Sequence, residues 1–274
     1  MQAFSSWEAP GGTLGAILAE TTERLESLRN RQAILERAAR NARPVPALAA
    51  ALRRDCVAVI AEVKRQSPSK GPIATLDSAA QQARRYADGG AAAVSILTEP
   101  RHFGGAAEDL ESTVGVVAIP LIKKDFHVEE LQLVEARALG ASAVLLIARA
   151  LPPHRLIALT RHALDLGLDV LTEIRSEAEL QVALTSGTAI IGVNNRNLET
   201  LVIDRAVSEL LIPLIPPDHI AVFESGISGP ADVAFAAELG ADAVLVGSSV
   251  SAAPDAAQAV RALASTPRLA RSAA

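Results

Sequence analysis

From Val57 to Leu263 one pattern repeats: a short apolar run, a polar or glycine-rich end, then a stretch with helical spacing. The apolar runs are 57–63, 91–97, 116–122, 143–147, 168–171, 189–193, 220–223 and 243–246. The stretches between them, as at 79–88, 128–139, 153–166, 177–184, 206–211, 231–239 and 254–263, carry apolar residues three and four apart. Runs this apolar are strands buried on both faces, which parallel sheets need and one-sided antiparallel sheets do not. Gly89-Gly90, Gly140 and Gly240 precede strands, where a glycine can end a helix and turn the chain back. Eight such units in roughly 210 residues predict an α/β fold, a single (β/α)8 TIM barrel. A doubly wound open sheet is the alternative, but no G-x-G-x-x-G follows the first strand and no P-loop occurs.

The first 55 residues stand outside the repeat and predict an N-terminal helical extension packed on the barrel. Leu14, Ile17, Leu18, Leu25 and Leu28 mark a helix over 13–39, and Pro44 and Pro46 end it before a short helix reaching Leu52. The barrel is expected over 56–264, and the polar tail 265–274 is expected to fray. A net charge of −5 argues against a nucleic-acid partner. No run approaches the ~20 apolar residues of a membrane span, and the N-terminus has neither the basic nor the apolar region of a signal peptide. A single cysteine, Cys56, suits a reducing cytoplasm and reads as a small packing residue.

Barrels gather the C-terminal ends of their strands at one mouth. Those ends here read Glu62 and Lys64, then Thr98 and Glu99, Lys123-Lys124-Asp125, Glu173, Asn194-Asn195-Arg196, Glu224-Ser225-Gly226 and Gly247-Ser248-Ser249. The opposite ends carry much less: Asp55, Ala118, Ser142, Asp169, His219 and Asp242. Were the polar ends only the places where strands leave the core, both sides would be equally polar. The asymmetry predicts a catalytic mouth.

Lysine use points the same way. Of 26 basic residues only Lys64, Lys70, Lys123 and Lys124 are lysines, and all follow the first or third apolar run. Lysine can give up a proton where arginine cannot. With Glu62, Glu173 and Glu224, Lys64 and Lys124 form a set able to supply a proton donor and an acceptor together. Ser225-Gly226 and Gly247-Ser248 fall at the seventh and eighth ends, where barrels often bind phosphate; ordinary tight turns are the alternative. The histidines at 102, 127, 154, 162 and 219 show no ligand spacing, so no metal is expected, and each reads as a surface or helix-end residue. Tyr86 and Trp7 read as packing residues.

The stretch Ile60-Ala-Glu-Val-Lys-Arg-Gln-Ser-Pro-Ser-Lys-Gly71 resembles the indole-3-glycerol-phosphate synthase family. So do Ser95–Glu99, Pro120–Phe126, Glu135–Ala141, Ile190–Arg196, Glu224–Gly226 and Val246–Ser248, in the same order. The resemblance implies a cofactor-free enzyme of tryptophan biosynthesis. It closes the ring of 1-(2-carboxyphenylamino)-1-deoxyribulose 5-phosphate and releases carbon dioxide and water. It implies Lys124 as the general acid at the sugar carbonyl and Glu173 as the base of the later dehydration. Lys64 meets the anionic groups, and Glu62 sets the lysine's charge and position. Asn194, Arg196, Glu224 and Ser225 orient substrate, Ser67 binds it, and Phe103 packs the anthranilate ring. Gly226, Gly247 and Ser248 cradle the phosphate. A cytoplasmic enzyme is expected, a monomer or weak oligomer. Thr21–Glu26 departs from the Lys-Arg-Glu-like segment of the family's N-terminal helix, and Ser142 stands where an acid is common. Two other readings compete. An isomerase on a phosphorylated sugar explains the phosphate corners but not two lysine loops and three glutamates. A non-catalytic phosphosugar binder predicts loss of Lys124 or Glu173, and both are present.

Overall fold

Eight parallel strands close on themselves: β1 (Ala58–Val63), β2 (Ala93–Leu97), β3 (Leu121–Lys124), β4 (Ala143–Ile147), β5 (Asp169–Ile174), β6 (Ile190–Asn194), β7 (Ile220–Glu224) and β8 (Ala243–Val246). They belong to a computed structural model that describes residues 7–69, 71–73 and 78–271. Each strand pairs with its neighbour in sequence, and β1 joins β8 through Ala58↔Ala243 to Ala61↔Val246, so no edge is left open. Every residue of β1, β2, β4, β6, β7 and β8 is buried. That is why these runs lack the alternation of a one-sided sheet.

The helices form the outer layer. The predicted N-terminal helix is divided at Asn30-Arg31 into α1 (Gly12–Arg29) and α2 (Gln32–Arg40), and α3 (Leu48–Leu52) follows. Leu14, Ile17 and Leu25 of α1 are buried, each worth roughly 1.5–3 kcal/mol. Between the strands lie α4 (Ala79–Asp88), α5 (Pro100–Phe103), α6 (Ala107–Thr113), α7 (Glu130–Ala138), α8 (Pro153–Asp165), α9 (Glu177–Ser186), α10 (Ala206–Leu211) and α11 (Pro230–Glu238). After β8 come α12 (Ser248–Ser251) and α13 (Ala256–Leu263). Several begin with a side-chain cap. Ser78 accepts from Gln81 N at 3.1 Å, Ser176 from Glu179 N at 3.2 Å, and Asp255 from Gln258 N at 2.9 Å. Gly90, Gly140 and Gly240, the helix-ending glycines, have φ of 94, 88 and 90°. Among the described residues no helix is long and apolar enough to cross a membrane.

Four features differ from the sequence reading. The third strand starts at Leu121, not Val116, because Pro120 has no N–H for the ladder and 116–120 is spent on a turn. The second unit has helices the periodicity did not reveal: α5 is a single turn, and α6 buries only Leu110 and Thr113. A small hairpin pairs Gln66-Ser67 with Gly71-Pro72 beyond β1. The tail does not fray at Ser265. Val57 N donates to Thr266 O and Arg268 N to Asp55 O, both at 2.9 Å, while Arg268 and Arg271 reach Asp242 at 2.8 and 2.7 Å. Ion pairs hold what composition left loose, as far as Arg271.

Candidate active site

Four ionisable side chains meet at the barrel mouth, one from each odd-numbered strand: Glu62, Lys124, Glu173 and Glu224. Alternate strands fill successive layers of such a barrel, normally with branched apolar residues. Here the uppermost odd-strand layer is charged. Glu62 is 1% exposed and touches both catalytic-end lysines, with Oε1 2.6 Å from Lys64 Nζ and Oε2 3.6 Å from Lys124 Nζ. Burial penalises its negative charge, but the two ammonium groups outweigh this and lower its pKa. The same balance runs the other way at Lys124. Burial opposes its charge, yet Glu62, Glu224 and Glu173 hold the pKa above the ordinary lysine value. Glu173 and Glu224 are driven up. Burial is the chief cause at both, and at Glu224 the Glu173 charge adds to it and brings the pKa to about 8.

Two adjoining cavities share this layer. The first is largely apolar at one end, where the ring centroids of Phe103 and Phe126 lie 6.2 Å apart beside Leu14 and Ile17 of α1. Ser67, Lys64, Lys124, Glu173, Asn194, Arg196, Ser225 and Ser248 complete it. The second is polar and is lined by Glu62, Glu224, Gly226, Gly247 and Ser248. Lys64, Lys124, Asn194, Arg196, Ser225 and Ser248 line both. Every residue to which the family resemblance assigns a role therefore borders one connected mouth.

The polar end is built on unusual backbone. Ser225 holds φ 68°, which a non-glycine residue seldom adopts, and Gly226 follows at 86°. Gly247 packs close to the pair: a Cβ there would lie 2.7 Å from Glu62 Oε1 and 3.1 Å from Lys64 Nζ, so any side chain would displace them. Thus the eighth-strand corner abuts the lysine–glutamate pair. Asn194 is held from two sides. Its Oδ1 accepts from Arg196 N at 2.9 Å, and its carbonyl accepts from Arg175 Nη1 at 2.6 Å. Arg196 donates to Leu201 O at 2.9 Å and has no carboxylate partner among the described residues.

Other expectations are corrected. Lys123 does not face the mouth. It is 2% exposed and pairs outside the barrel with Asp125 at 3.3 Å and Glu135 at 3.2 Å, because neighbouring strand residues face opposite ways. Lys70 lies outside the described residues. Glu99 is not free for chemistry, since it caps α5 by accepting from the N–H groups of residues 101, 102 and 103. His127 is buried, not superficial: burial, aided by Lys123, lowers its pKa to about 3, and its Nδ1 lies 2.8 Å from Leu145 O. Tyr86 and Trp7 do pack, each with a polar tether, to Glu62 O at 3.2 Å and Arg149 O at 3.3 Å. The residues missed are Phe126, Leu14 and Ile17. Phe126 stood in the Lys-Asp-Phe triplet. The other two carried helical spacing, which does not say which core a helix face meets.

The indole-3-glycerol phosphate synthase family model matches residues 14–263. The indole-3-glycerol phosphate synthase 1 of Streptomyces coelicolor is 50% identical over 215 residues, 78% of this chain and 80% of its own. The indole-3-glycerol phosphate synthase of Kineococcus radiotolerans is 48% identical over 194 residues, 71% of each chain. Among solved structures, a 3-hexulose-6-phosphate synthase from Salmonella typhimurium superposes with a TM-score of 0.61 at 13% identity, covering 76% of this chain and 97% of its own. A thiamine phosphate pyrophosphorylase from Pyrococcus furiosus gives 0.59 at 18% identity, over 77% and 95%. At that identity the likeness concerns the fold alone.

Proposed function

The chain belongs to the indole-3-glycerol phosphate synthase family, carboxy-lyases of tryptophan biosynthesis, and from that premise we propose how its mouth closes the ring of 1-(2-carboxyphenylamino)-1-deoxyribulose 5-phosphate. The observation that carries the reading is the placement of Glu62 between Lys64 and Lys124, with an apolar cavity on one side and glycine–serine corners on the other. The substrate has the matching parts: an aromatic ring at one end, a phosphate at the other and a carbonyl between.

The anthranilate ring enters between Phe103, Phe126 and the α1 roof. The phosphate takes the corners at Gly226, Gly247 and Ser248. Ser67 lines the aromatic side, and Lys64 and Arg196 supply charge to the anionic groups. Lys124 then lies at the carbonyl. Its acidic neighbours, Glu62 above all, keep its ammonium protonated, so it polarises the carbonyl and yields its proton only as the oxygen gains alkoxide basicity. Glu62 holds both lysines in place. Attack by the ring carbon that bears the carboxylate forms the new C–C bond. Carbon dioxide then departs because the bonding pair restores the aromatic ring. Glu173 takes the proton that completes dehydration, while Asn194, Glu224 and Ser225 orient the sugar chain. We read the enzyme as cytoplasmic and as a monomer or weak oligomer.

Adding the substrate to the purified protein and following indole fluorescence tests the reading. Lys124→Ala is expected to reduce kcat by roughly 10²–10⁴, the range of a general acid, with an unchanged circular dichroism spectrum. Near-normal turnover by that variant removes Lys124 from its role.

A further inference from the structure

The β5–β6 ladder sets a glycine opposite Glu173. Gly192 is the register partner of Glu173, and it is absent from the positive-φ residues, so no turn requires a glycine there. Space requires it. A Cβ built on Gly192 would fall on Glu224 Oε1, and it would stand 3.1 Å from the Glu224 carboxyl carbon. The Glu224 carboxyl therefore fills the volume a side chain at 192 would take. It arrives from β7, where Glu224 is the partner of Asn194, and leans back over β6 toward the strand that carries Glu173.

In that seat Glu224 Oε1 is buried without a hydrogen-bond partner among the described residues. A buried oxygen lacking a donor is far less costly on a neutral acid than on a carboxylate. The charged groups facing it are Glu62 and Lys64 from the β1 end, Lys124 from β3 and Glu173 from β5. Burial and then the Glu173 charge outweigh the two lysines, which brings the pKa to about 8.

We propose that Gly192 is a positioning residue for dehydration: by ceding its side-chain volume it seats Glu224 as a neutral acid beside the Glu173 carboxylate, and the two remove water as an acid and a base. This rests on the assignment of Glu173 as the base. After carbon dioxide has left, the intermediate bears a hydroxyl on the former carbonyl carbon and two hydrogens on the adjacent methylene carbon. Glu173 takes one of these as a proton, and the C–H electron pair becomes the ring double bond. The C–O bond breaks, and the hydroxyl leaves with the Glu224 proton as water. The pair ends with the proton count it began with, and one transfer from Glu173 to Glu224 resets it. Lys124 is left with the earlier step, at the carbonyl.

Gly192→Ala tests the seat without touching a substrate-facing side chain. It should fold normally, keep KM within about threefold and lose roughly 100-fold in kcat, within the range of acid–base catalysis. The wild-type kcat should decline as pH rises through about 8, since the acid form of Glu224 is lost there. In a Glu224→Ala background, Gly192→Ala should cost under threefold more, because the volume is already vacant. Wild-type kcat in a folded Gly192→Ala protein, or losses that multiply independently, would overturn the proposal. Should Gly192→Ala not fold, Glu224→Gln decides: the limb near 8 must disappear, and its persistence defeats the idea. Near-normal turnover by Glu173→Gln would instead remove the base assignment, which the 192–224 cycle does not probe.

Discussion

Lys123 and Lys124 are adjacent and identical in chemistry, yet the barrel wall separates their roles. Lys124 faces Glu62, Glu173 and Glu224, whereas Lys123 is enclosed by Asp125 and Glu135 on the helix side. Asp125 also accepts from Thr98 at 2.7 Å and Arg24 at 3.3 Å, so Lys123 completes a buried network. Removing one member of a buried ion pair leaves the other uncompensated, typically at a cost of about 3–5 kcal/mol. Lys123→Met should therefore lower stability to denaturant by about 3 kcal/mol and leave kcat of the folded enzyme within about threefold. Lys124→Met should do the reverse. A dead but fully stable Lys123→Met protein would mean that Lys123 serves the chemistry after all. The abundance of lysine after these two strands was legible in the sequence. Which lysine looks inward was legible only through the family resemblance, because an apolar run buried on both faces shows no alternation from which to read the facing of the residues that end it.

At the scale of elements, α1 acts as the roof of the aromatic cavity and is latched at both ends. Near its start, Gly11 N donates to Glu199 Oε2 at 3.0 Å and Thr13 N to Glu199 O at 3.2 Å, while Arg149 holds the same carboxylate at 2.8 Å. Further along, Arg24 reaches Asp125 and Arg29 reaches Glu129. Glu199 sits in the loop after β6 that also carries Arg196, Leu198 and Leu201, so one side chain joins roof and floor. Glu199→Ala should loosen the first turn of α1 and uncover Leu14 and Ile17. The expected outcome is a KM raised roughly 5–20-fold with kcat changed much less, and faster proteolysis before residue 20. The range corresponds to about 1–2 kcal/mol, the worth of a charge-assisted bond. An unaltered KM would show that the roof stays shut without this latch. Helical spacing was enough to find α1, but its docking site depends on pairs such as Gly11–Glu199 that lie far apart in sequence. α6 went unseen for a local reason, since Ala107–Thr113 offers too few apolar positions to show a period.

The barrel as a whole closes between β8 and β1, and the chain's last described residues are drawn across the base of that seam. Asp242 opens β8. Its N–H donates to Ala221 O at 2.9 Å, its carbonyl accepts from Ala58 N at 2.9 Å, and its carboxylate accepts from Ala221 N at 2.8 Å. That carboxylate also binds Arg268 and Arg271, and Arg271 donates as well to His219 O and Gly240 O. One residue thus joins β7, β8, β1 and the tail, on the face opposite the chemistry. Little at this end stands out in the sequence, and composition does not show that a tail rich in Ala and Ser has two arginines aimed at a single acid. Replacing Asp242 strands Arg271, whose side chain is only 4% exposed, while half-exposed Arg268 keeps water. Asp242→Ala should therefore cost about 3 kcal/mol, toward the lower end for a broken buried pair, and reduce Tm by roughly 5–10 °C. Truncation after Ser265 should destabilise similarly, and the two changes together should cost less than their sum, because both remove the same contacts. Turnover at 25 °C should stay within twofold of wild type, since the mouth is at the other end of the strands. Full additivity would show that tail and Asp242 act apart. A large loss of kcat with an intact fold would show that the base of the barrel governs the geometry of its mouth.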